Sequence, residues 1–134
     1  MTESWLPIPR IRAVADGGVE ADLAIPLDSP WFVGHFPGRP ILPGVTWLAA
    51  IADLVRRDGV QAGRPVEVVG FRNVRFKRQV EGAARALLVV APVDAGKPGE
   101  LKFEVRLAGE TICHGLIAVR PPGAPDGTPV ADPP

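Results

Sequence analysis

The chain has 134 residues, 46% hydrophobic and 22% charged, which suits one compact domain and excludes disorder as a description of the whole. Fifteen basic residues balance fifteen acidic ones, so the basic excess of a dedicated nucleic-acid binder is missing. No apolar run approaches bilayer-spanning length, and one cysteine with two histidines points away from disulfides and cluster-type metal sites.

The segment Met1 to Pro9 carries Glu3, Trp5, Pro7 and Pro9 where a signal peptide needs a basic end and an apolar run. A soluble, cytoplasmic protein without metal or cofactor is the expectation. Ile11 to Ala15 and Val19 to Leu27 flank Asp16-Gly17-Gly18, a turn signal, and predict a short hairpin. Prolines at 26, 30, 37, 40 and 43 then forbid any long regular element. From Gly44 to Arg57 the chain has no proline and no further glycine. Val45, Leu48, Ala52 and Val55 recur at helical spacing there, joined by Ile51 and Leu54. A helix over Val45 to Arg56 is predicted, with Gly59 as its stop.

After the helix the period becomes two. Val66 to Val69, Val74 to Val80, Arg85 to Val93, Leu101 to Leu107 and Thr111 to Val119 read as strands. Gly82, Asp94-Ala95-Gly96 and Ala108-Gly109-Glu110 mark the turns between them. One apolar helix on one antiparallel sheet is an α+β arrangement. Because that helix is apolar nearly all round, one sheet face covers only part of it, and a second subunit is expected to cover the rest. Residues 1–120 form the expected domain. Six prolines and two glycines between Pro121 and Pro134 predict a flexible tail.

Chemistry concentrates between Trp31 and Val45. Prolines 37, 40 and 43 stiffen this loop, while Gly38 and Gly44 allow close backbone approach. The loop delivers His35 beside the start of the helix. The first helical amides, near Gly44 and Val45, have no acceptor within the helix and can polarise a carbonyl oxygen. A histidine beside such donors can serve as a general base, and equally as a structural cap of the loop.

The string His35-Phe36-Pro37-Gly38, Pro40-Ile41, Pro43-Gly44-Val45 resembles the signature of the hot-dog-fold 3-hydroxyacyl-(acyl-carrier-protein) dehydratases of type II fatty acid synthesis. Phe71-Arg72-Asn73-Val74-Arg75-Phe76-Lys77-Arg78 is similar to the strand after the helix in that family. The resemblance spans Ile8 to Arg120 and implies a sheet wrapped around a central helix, with two subunits building each pair of sites. It implies that His35 takes the C2 proton of a 3-hydroxyacyl thioester. The Gly44 N–H would bind the thioester carbonyl, and the Ile41 carbonyl would hold the imidazole in one tautomer.

The family carries a Glu or Asp on the helix, fourteen residues after the histidine, that helps the 3-hydroxyl leave. Here that position is Ala49. Asp53 lies one helical turn on, about 6 Å along the axis, where it can act through a water or be merely structural. Phe32, Phe36, Pro37, Ile41, Leu42, Val45 and Phe76 are the expected acyl-binding residues; with Trp31, the aromatic ones also fit an ordinary core. Arg72, Arg75, Lys77 and Arg78 are either a solvated strand face or the contact for a carrier protein or the phosphates of coenzyme A. Cys113 and His114 are adjacent on a strand, so they face opposite ways and read as structural.

The implied function is a cytoplasmic, homodimeric or dimer-based dehydratase-like protein acting on acyl thioesters of a carrier protein or coenzyme A. Two alternatives remain open from the sequence: an acyl-thioester-binding module without catalysis, and a hot-dog thioesterase.

Overall fold

The computed structural model describes residues 11–14, 17–25, 41–42, 44–81, 84–93 and 99–123. Strands β1 (Ile11–Ala13) and β2 (Val19–Ile25) form the expected hairpin. A two-residue strand, β3 (Ile41–Leu42), leads into helix α1 (Val45–Gln61). Strands β4 (Glu67–Phe76), β5 (Val80–Glu81), β6 (Ala84–Pro92), β7 (Glu100–Leu107) and β8 (Glu110–Arg120) follow.

Six of these strands make one antiparallel sheet in the order β1-β2-β6-β7-β8-β4, and β3 pairs separately with β5. Period-two alternation sends Ala86, Leu88 and Val90 of β6 and Phe103 and Val105 of β7 to one face, where all are buried. Leu23 and Ile25 of β2 and Ile117 of β8 join them. Helix α1 lies in this core with Trp47, Ala50, Ile51, Leu54 and Val55, each large side chain contributing about 1.5–3 kcal/mol by its burial. Its other side is less covered: Val45 is 54% and Val60 68% exposed. Two valines, near the two ends of the helix, are thus left uncovered within one chain. No helix among the described residues is long and apolar enough to cross a membrane.

Two boundaries differ from expectation. The helix runs past Arg56 to Gln61, because Gly59 is a packing residue and not a stop. A Cβ at Gly59 would come within 2.8 Å of the Arg64 carbonyl oxygen, and the turn is made instead at Gly63, where φ is +75°. The predicted strands Val66 to Val69 and Val74 to Val80 are largely one strand, β4, interrupted by register shifts at Val68/Gly70 and Arg72/Arg75. Asn73 lies within the second irregularity at φ 55°. A bulge disturbs the alternation without ending the ladder. The tail beyond residue 123 lies outside the described residues, whereas the Gly123 N–H donates to Glu67 Oε2 at 3.4 Å.

The β7–β8 connection yields a stability prediction. Leu107 pairs with Glu110, so the loop is two residues, Ala108 (φ 53°) and Gly109 (φ 84°). Both are left-handed, as a two-residue hairpin demands, but Ala108 carries a Cβ that this conformation penalises. Ala108→Asn is expected to stabilise the fold by about 0.5–1 kcal/mol, read as a higher urea midpoint at unchanged slope.

Candidate functional site

The start of α1 is held from two sides. Leu42 pairs with Val80 and Ile41 with Glu81, so the residues just before the helix are tied to the chain just after β4. On the other side Phe76, at the end of β4, closes on Gly44. A Cβ built at Gly44 would stand 2.8 Å from Phe76 Cε1 and 3.0 Å from Cζ. Only glycine fits under that ring as it stands. The expected substrate residue Phe76 is thus adjacent to the expected polarising residue Gly44, and Val45 follows on the exposed side of the helix.

Gly44 caps the helix with φ −58° and ψ −31°, no side chain among the described residues hydrogen-bonds the cap, and the first turn has no acidic residue. The partial positive charge at this end is therefore not neutralised by the helix's own first turn, which leaves it for a bound oxygen. In the same turn Thr46 is fully buried, and its Oγ1 has no hydrogen-bond partner among the described residues. Buried hydroxyls are normally satisfied, so this one marks a polar point within the apolar first turn. Sequence reading passed over Thr46 because a single threonine in an apolar helix carries no pattern.

His35, Trp31, Phe32, Phe36 and Pro37 lie outside the described residues, as do the side chains of Ile41 and Leu42. Ala49 is half-buried against the core, on the side of α1 that also carries Asp53 and Val60. Asp53 Oδ2 forms an ion pair with Arg57 Nε at 3.1 Å, one turn further on, and that oxygen is shielded from solvent with no hydrogen bond among the described residues. Its charge is matched by Arg57.

The basic strand divides. Arg72 pairs with Glu100 and Arg78 with Glu110, while Arg75 and Lys77 line a groove with Lys102, Arg106 and His114. Cys113 is fully buried, and burial pushes its thiol up to about 11. A thiol so held stays protonated near neutrality and is no nucleophile. His114 faces the other way, into the groove, as strand alternation requires.

The ApeI-like family, described as ApeI dehydratase, matches residues 12–116 of this chain. The 3-hydroxyacyl-(acyl-carrier-protein) dehydratase FabZ of Verminephrobacter eiseniae is 31% identical over 119 residues, covering 81% of this chain and 79% of that protein. The FabZ of Albidiferax ferrireducens is 34% identical over 110 residues, covering 76% and 73%. Among solved structures, the dehydratase heterocomplex ApeI:P from Xenorhabdus doucetiae aligns with a TM-score of 0.66 at 22% identity, over 85% of this chain and 96% of that one. An uncharacterized protein from Erwinia carotovora subsp. atroseptica aligns with a TM-score of 0.67 at 26% identity, over 87% and 94%. The sheet around a single helix is accordingly the hot-dog fold.

Proposed function

The chain belongs to the ApeI-like dehydratase family, and on that premise we propose that it dehydrates 3-hydroxyacyl thioesters carried on an acyl carrier protein or coenzyme A. The observation that supports this reading is the uncapped, acid-free start of α1 at Gly44, pressed against Phe76. A thioester carbonyl placed there accepts from the Gly44 N–H, which acidifies the C2 proton. His35 removes that proton, the C2–C3 double bond forms, and the C3–O bond breaks. The departing hydroxyl then takes up a proton and leaves as water. Phe32, Phe36, Pro37, Ile41, Leu42, Val45 and Phe76 contact the acyl group in this scheme.

That final proton needs a donor, and Ala49 cannot be one. Asp53, matched by Arg57, would have to act through a water. A second reading therefore places the acid on a non-identical subunit, which meets the partly covered side of α1 where Ala49 lies. The ApeI:P structure is by its description a heterocomplex, which favours this version. In either version the smallest working unit is two chains. Strand β4 is a terminal strand of the sheet, and Val69 (58%) and Phe76 (52%) are exposed on it, as Val45 and Val60 are on α1. Light scattering at micromolar concentration is expected to show a dimer of this chain; a stable monomer that becomes a dimer only with an acid-bearing homologue would favour the mixed assembly.

The direct test is turnover. Incubation with 3-hydroxybutyryl and crotonyl thioesters should change the absorbance of the conjugated enoyl thioester, with no release of free thiol. Thiol release alone would indicate a thioesterase. Binding without either change would indicate a non-catalytic module.

Gly44→Ala separates site geometry from stability. The atoms the new methyl meets are the far end of the half-exposed Phe76 ring, so a shift of that side chain can relieve the clash without unfolding the chain. Gly44 is the N-cap, where alanine is less favourable than glycine, so alanine is expected to cost about 0.5–1 kcal/mol of stability. Turnover of the folded variant is expected to fall by about tenfold or more, because methyl and displaced ring both crowd the carbonyl's approach. Thermal unfolding and kcat/KM measured on the same preparation check both effects.

A further inference from the structure

We propose that a groove on the outer face of the sheet is a second binding site, for a small phosphorylated ligand, separate from the start of α1. The groove has a volume of about 790 Å³, within the usual range of small-molecule sites. Alternation explains its position. Leu88, Val90 and Val105 face the core, so Val89, Ala91, Lys102, Glu104 and Arg106 face the other way.

Strand register brings distant residues into rows. Val89 lies opposite Glu104, Glu104 opposite His114, and His114 opposite Arg75. The next row runs from Ala91 to Lys102 to Leu116. Val89, Ala91 and Leu116 thus supply an apolar floor, with Arg75, Lys77 and Lys102 around it. The irregularity of β4 at Asn73 sets Arg75 opposite His114, and Asn73 itself lines the groove. Re-aiming a side chain is a recurrent use of a bulge.

Charge decides the occupant. Among the described lining residues Glu104 is the sole carboxylate, and it is engaged by Arg106 at 2.7 Å and by the Thr111 hydroxyl at 3.5 Å. Among the described residues no carboxylate pairs with Arg75, Lys77 or Lys102, whereas Arg72 and Arg78 on the same stretch each have a glutamate. Three unmatched cations around one concavity call for an anion of more than one charge. A second copy of the chain related by a twofold axis would bring these cations against themselves. A concave pocket with a narrow apolar floor suits a compact organic phosphate better than a broad protein surface. Phosphate groups on Arg75, Lys77 and Lys102, with a ring on Val89, Ala91 and Leu116, satisfy both halves of the site.

Calorimetry with adenosine 3′,5′-bisphosphate as the probe, pyrophosphate as a second probe and adenosine as the uncharged control tests this on the full chain. The bisphosphate should bind, adenosine far more weakly, and added salt should weaken the bisphosphate. Lys102→Glu, Arg75→Glu and the milder Lys102→Gln should each weaken binding, the reversals by at least about tenfold. Arg64→Glu, an exposed cation between α1 and β4, should leave it unchanged. Absence of binding by both phosphates, equal loss with Arg64→Glu, or binding confined to an acidic carrier protein would each overturn the proposal. None of these readouts depends on dehydratase turnover.

Discussion

His35→Ala is expected to lower dehydration at least about a hundredfold, the usual scale for removing a general base, while leaving the fold intact. Circular dichroism and thermal unfolding of the same variant check that what is lost is chemistry and not the fold. The companion variant is Ala49→Glu. It restores the carboxylate that the family resemblance assigns to this position, on a residue only half-buried and hence with room to one side. Where the proton donor limits turnover, Ala49→Glu should raise the rate, and His35→Ala in that background should abolish the gain. If neither substitution alters the enoyl-thioester absorbance and acyl-thioester binding persists, the dehydratase assignment fails and a binding role replaces it.

Phe103→Ala should be among the most damaging single substitutions for stability, at about 3–5 kcal/mol against a total of about 5–15 kcal/mol. The ring is 2% exposed and meets Phe71 edge-on, with centroids 5.7 Å apart and planes at 83°. It also fills the space beside Gly115, where an added Cβ would lie 3.1 Å from it. Gly115 has no side chain to move into the void, so most of the cavity cost should remain. Phe71→Ala should cost less, because Phe71 is only partly buried. Urea unfolding of the two variants ranks them, and a Phe103→Ala midpoint close to wild type would contradict the packing described.

The fold was readable because its largest signals are local. Prolines 30 to 43, the apolar run from Val45 and the later period-two segments mark loop, helix and strands without knowledge of partners. The candidate site was half-readable. Gly44 stands out within a dense motif, yet its fit beneath Phe76 depends on a contact between residues 32 positions apart. Gly59 misled because glycine serves two purposes in helices, termination and close packing, and composition does not distinguish them. The groove was the least readable part. Lys102 and Arg75 become neighbours only through the β7–β8–β4 register, which a bulge shifts by one residue. Alternation alone also hid which of the four basic residues from Arg72 to Arg78 are taken by glutamates.

The strand order has a kinetic consequence. Strand β4, which directly follows α1, has β8 as its neighbour, and the N-terminal hairpin joins the sheet through β6. A growing chain that has reached Phe76 therefore has an apolar helix with no sheet beneath it, and an open strand edge on each side. The hairpin gains its partner when β6 emerges, but β4 must wait for Glu110–Arg120. Closing such long loops is slow, so refolding is expected over milliseconds to seconds. Until β8 arrives, nascent chains are the form most in need of a chaperone.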